Sequence, residues 1–194
     1  MKSITVAISI FVLFGFSEIT PTLPETICLS KEEQLLYSLI MDYRKEKGLP
    51  PIPVSAKLTK VAKAHAVDLV NQYDFSPSNK CNPHTWSKKG KWSACCYTAD
   101  HKQAKCMWDK PAEIAGYTGH GYEIAYYSSA GASAKEGLDG WKVSPGHNPL
   151  IVNSGIWEKV KWNAIGIALH GEYGLVWFGE IEDDEPIANC SNRE

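Results

Sequence analysis

The sequence predicts an α+β fold, an antiparallel sheet held between helical layers. Three observations carry it. Two amphipathic helices with marked ends occupy the first third of the chain. Alternating and then continuously apolar strands close it. Two antiparallel strands alone cannot make a core, so the helices must cover them.

The chain opens with MKSITVAISIFVLFGFSEI. One lysine leads an apolar run from Ile4 to Phe16, about 13 residues. A bilayer span needs roughly 20. The segment therefore reads as a secretory signal peptide over residues 1–17, cut near Ser17, with an uncleaved anchor as the rival reading. A single domain is expected over residues 28–190.

Ser30 followed by Glu33 is a capping box. Leu35, Leu36, Leu39, Ile40 and Tyr43 then recur at helical steps. Gly48 falls where a helix ends, and Pro50, Pro51 and Pro53 forbid continuation. Ser55 caps a second helix, whose buried side carries Leu58, Val61, Ala62, His65, Ala66, Leu69 and Val70. From Asp74 to about Gly121 regular patterns fade, a length of connection expected only if it is functional or stapled. Tyr122 to Tyr127 reads as extended. Ser133 and Glu136 open a short helix toward Trp141. In "SPGHNPLIVN", Ser144 reads as an N-cap and Pro145 as the first helical residue, which puts His147 in the first turn. The positive end of that helix would disfavour an imidazolium. Ile165, Ile167 and Leu169 then alternate with small residues, HGEYG turns the chain, and Leu175 to Phe178 is a strand buried on both faces.

Six cysteines, Cys28, Cys81, Cys95, Cys96, Cys106 and Cys190, suggest three disulfides in an exported chain. Adjacent Cys95 and Cys96 are expected to take different partners, Cys81 and Cys106 being nearest, with Cys28 tied to Cys190. No CxxC pair points to cysteine-bound zinc. A net charge of −2 with no basic stripe speaks against a nucleic-acid partner.

His65, on an apolar helix face, is expected to be a buried, hydrogen-bonded structural histidine. His101 and His170 lie near polar turns and are expected at the surface. His120, in a glycine-rich loop, is open to either reading. His84 and His147 remain as candidates for chemistry. Glu123 stands in an otherwise apolar and aromatic strand. A buried carboxylate is costly unless paired, so Glu123 either faces water or partners one or both of those histidines.

Several short runs come in order: Tyr43-Arg44 with Gly48-Leu49, His65-Ala66-Val67-Asp68-Leu69, His84-Thr85-Trp86-Ser87, Gly121-Tyr122-Glu123-Ile124, Trp141 with Ser144-Pro145-Gly146-His147-Asn148, and Ile165-Gly166-Ile167 with Trp177-Phe178-Gly179. This series resembles the CAP superfamily of cysteine-rich secretory, antigen 5 and pathogenesis-related proteins. It looks closest to the bacterial branch, where W-x-x-S-P-G-H is common, and covers residues 30 to 182. The resemblance implies an α-β-α sandwich and a cleft with two histidines and two acids. These fall on His84, Glu123 and His147, with Ser144 where the second acid would stand. Ser144, Tyr122, Trp141 and Asn148 are the expected cleft residues. His84, His147 and Glu123 could ligate a divalent metal such as zinc. The implied function is a secreted or extracellular binding module (periplasmic in a Gram-negative bacterium), with a lipid, a sterol or an extracellular protein as partner and no transmembrane segment in the mature chain. Alternatives are a metal-assisted hydrolase, with Glu123 as catalytic general base, and a structural envelope protein whose cleft residues only brace the fold.

Overall fold

Ser30 opens the first helix as its sequence predicts. The computed structural model describes residues 27–185 and residue 187. The expected signal peptide, Cys190 and the far end of the expected domain lie outside them. In α1, Lys31–Glu46, the Ser30 hydroxyl accepts from the Glu33 N–H while the Glu33 carboxylate accepts from the Ser30 N–H. In α2, Ala56–Gln72, Ser55 accepts from the Leu58 N–H. The irregular stretch contains two short helices, α3 at Ala104–Trp108 and α4 at Lys110–Ala115, the second ended by Gly116 at φ +64°. Strand β1, Gly121–Tyr127, follows, then α5 at Ala134–Val143, α6 at Asn148–Ile151 and a 3-10 turn at Gly155–Trp157. Strands β2, Ala164–His170, and β3, Tyr173–Gly179, form a hairpin through Gly171, whose φ of +54° suits glycine.

The sheet order is β1-β3-β2, antiparallel throughout. Strand alternation sends side chains to two separate cores. Ile165, Ile167, Val176 and Phe178 join Leu36, Ile40, Leu138 and Trp141 from α1 and α5. Ala164, Ala168, Leu175 and Trp177 join Leu58, Val61, Ala62 and Leu69 from α2. The α-β-α layering follows directly. Gly166 lets α2 lie against β2: a Cβ there would come within 2.1 Å of the Leu58 carbonyl carbon.

Two disulfides staple the irregular stretch, Cys81–Cys96 and Cys95–Cys106. The adjacent cysteines diverge because Cys95 pairs with Trp86 in a short antiparallel bridge, and successive residues of extended chain face opposite ways. Cys28 is also disulfide-bonded.

One expectation is corrected. Ser144 does not begin a helix; it ends α5, its N–H bonded to the Trp141 carbonyl. The Pro145-Gly146 turn intervenes, and the next helix starts at Asn148 with His147 at its N-cap. Four helical residues present no appreciable dipole, so the reason proposed above for a neutral His147 does not apply.

Candidate functional site

Glu123 pairs across the sheet with Trp177. It therefore points to the α2 side, where His65 sits between Ala62 and Ala66. His65 Nδ1 lies 2.5 Å from Glu123 Oε2, and its Nε2 lies 2.9 Å from the Thr85 carbonyl. A carbonyl only accepts, so Nε2 carries a proton. The ring stacks on Trp86, centroids 4.0 Å apart and planes within 9°. From the cysteine-stapled segment, His84 donates through Nδ1 to Glu123 Oε1 at 2.7 Å. Its approach is set by Asn82, which accepts from the His84 N–H.

Both oxygens of the buried carboxylate are thus taken by histidines. Burial pushes Glu123 upward, but His65 and His84 outweigh it and hold the carboxyl below its usual range. The sequence reading offered Glu123 as a partner for one or both of His84 and His147; His84 is one partner, and the other is His65. The signal was available: a histidine on an apolar helix face needs a polar partner, and β1 carries one acid.

His147 faces the same cleft from the other side. Burial first, then the proximity of His84, lowers its pKa from 6.5 to about 4, against the opposing pull of Glu123. The ring makes no hydrogen bond among the described residues.

The cleft, about 640 Å3, runs along β1. Three consecutive residues, Tyr122, Glu123 and Ile124, line it. A strand can offer both faces this way only along an edge not paired to another strand. Side chains cover part of that edge: Met107 Sδ accepts from the Glu123 N–H, and Trp141 Nε1 donates to the Ala125 carbonyl. The walls are Trp108, Leu150, Ile156 and Trp157, and the polar floor is His84, Glu123 and His147. Of the residues expected there, Tyr122 lines the cleft. Trp141 lies in the core, Asn148 accepts from the Tyr43 hydroxyl, and Ser144 ends α5. His101 and His170 are exposed as expected, and His120 is exposed beside Asp109. The sequence reading did not single out Trp108, Ile156 or Trp157, because nothing local distinguishes a cleft tryptophan from a core one.

The expected metal set does not fit as three ligands. Each Glu123 oxygen is already engaged by a histidine, and the two imidazoles that remain, His84 and His147, fall short of the three or four protein ligands of zinc sites. Among the described residues no group of three His, Cys, Asp or Glu is placed to hold an ion.

The site is thus a buried carboxylate held between two imidazoles at the edge of an α-β-α sandwich. The profile of CAP, the cysteine-rich secretory protein family, matches residues 37–178, and the chain belongs to that family. No curated protein matches it significantly. Solved structures share its fold. An outer surface protein from Borrelia burgdorferi aligns at TM-score 0.53 and 18% identity, over 82% of this chain and 100% of that one. An extracellular protein containing a SCP domain from Bacillus anthracis aligns at 0.52 and 17%, over 77% of this chain and 40% of its own. A cysteine-rich secretory protein from Staphylococcus aureus aligns at 0.51 and 16%, over 77% of this chain and 39% of its own. The chain spans about two fifths of the length of the last two.

Proposed function

We propose that the chain is an extracellular binding module whose cleft takes an apolar ligand. The observation that carries this is the cleft: a largely apolar trough of a size typical of small-molecule sites, ending on polar groups that have no partner among the described residues. A purely bracing role accounts for Glu123 and His65, whose polar atoms are satisfied within the fold. It does not account for His147 or for the second nitrogen of His84. Export is supported by the leader-like N-terminus, by the disulfides, and by the secretory, extracellular or surface descriptions of the structural neighbours. No helix among the described residues is long and apolar enough to cross a membrane.

The test uses the neutral fluorophore N-phenyl-1-naphthylamine. Its emission is expected to rise on binding. Ile156, 86% exposed at the cleft mouth, can be changed without disturbing the core. Ile156→Asp should weaken binding about tenfold, the worth of one partly buried apolar side chain. Binding that ignores both Ile156→Asp and Trp157→Ala would place the probe elsewhere and sink the reading.

A further inference from the structure

Hydrogen-bond accounting at the cleft floor specifies the polar end of the ligand. The inference rests on the apolar-cleft reading above and narrows it. Glu123 meets a histidine nitrogen at each oxygen. His65 donates from Nε2 to the Thr85 carbonyl, and one proton lies between its Nδ1 and Glu123, so the pair carries no net charge wherever that proton rests. His84 spends its Nδ1 proton on Glu123. When neutral it is therefore the Nδ1–H tautomer, and its Nε2 is a bare acceptor with no protein partner among the described residues. Neutral His147 brings one donor and one acceptor, neither of them used among the described residues.

A floor of this kind carries no net charge. It offers an acceptor at His84 and a donor at His147, with apolar walls behind them. We infer that the cleft selects an uncharged amphiphile ending in a hydroxyl, which donates to His84 Nε2 and accepts from His147. A carboxylate would set its lone pairs against that of His84. A quaternary ammonium would have no hydrogen bond to give. Either would lose its hydration without replacement.

The experiment displaces bound N-phenyl-1-naphthylamine near pH 8 with four ligands of matched chain: 1-decanol, decyl methyl ether, decanoate and decyltrimethylammonium. The ether accepts but does not donate, and it is the more apolar, so simple partition favours it over the alcohol. Decanol is expected to bind about tenfold more tightly than the ether, the scale of one hydrogen bond whose loss strands a partner, and more tightly than either ion. The alcohol–ether preference should vanish in His84→Phe. It should shrink in His147→Leu, a variant that breaks no hydrogen bond of the fold and serves if His84→Phe does not fold. An ether that binds as well as the alcohol overturns the hydroxyl inference but leaves an apolar cleft. Tighter binding of decanoate also overturns it and marks an anion site. If the probe binds but none of the four displaces it, both this inference and the apolar-ligand reading fail.

Discussion

His147 is neutral because its surroundings are dry and face a second imidazole, not because a helix end repels its proton. The distinction has a consequence for acid stability. Its folded pKa, about 4, lies below the 6.5 of a free histidine, so the unfolded chain binds the extra proton first. Stability is complete above pH 6.5, falls as pH drops below it, and stops falling near pH 4. The contribution is at most roughly 3 kcal/mol, less whatever screening the ring's exposed edge receives. Glu123, also held below its usual value, adds a loss of the same sign at the acid end. Thermal melts between neutral pH and pH 4.5 should show a shallower acid decline in His147→Leu than in the parent. Equal declines would mean that His147 is not the group responsible. At this scale the sequence revealed the members of the site but not their pairing. Glu123 is flagged by its apolar neighbours, whereas its contact with His65 bridges 58 residues of chain, and no local pattern encodes that.

Among the elements, those with local causes were legible. Ser30 and Ser55 cap because a hydroxyl reaches amides three residues on, which any reader of the sequence can count. Ser144-Pro145 was misread for the same local reason. A serine before a proline serves as well after a helix as before one, and the choice was made by α5 ending there. The two short helices inside the stapled segment lacked enough turns to show periodicity. How closely α2 rides on β2 was not legible either, yet it depends on a single missing side chain. Gly166→Ala should cost about 3 kcal/mol or more, because the added carbon meets the Leu58 backbone, which cannot rotate away. Gly146→Ala, with nothing within 4 Å of the new atom, is the control and should be near neutral. Urea midpoints measure both, and similar values for the two would contradict this packing.

For the molecule as a whole, the two cores on either side of the sheet are built mostly from helices and strands, while one wall of the cleft is built from loop held by sulfur. His84 lies inside the loop closed by Cys81–Cys96, with Cys95–Cys106 interlaced behind it. Closed loops of 15 and 11 residues contribute about 3 kcal/mol each. Mild reduction should raise amide hydrogen exchange across residues 79–103 and weaken probe binding, with β2 and β3 still protected. Simultaneous loss of protection in the sheet would show that the staples support the entire fold. The opposite wall is held differently: Arg44 of α1 donates to the Ile151 carbonyl and to Asn153, and Asn153 in turn donates to the Val160 carbonyl.

Among the described residues the sheet order places β3, the third strand in the chain, between the two that precede it. As the chain leaves a ribosome, β1 and β2 have no native pairing with each other, and both cores lack their shared partition until Gly179 has emerged. Asp183, beyond the last strand, then accepts from the Ser55 hydroxyl and the Lys57 N–H at the start of α2. A nascent molecule built in this order stays uncommitted until β3 has emerged. Both cores are thereby completed in a single late step, when the β2–β3 hairpin seats its second strand beside β1.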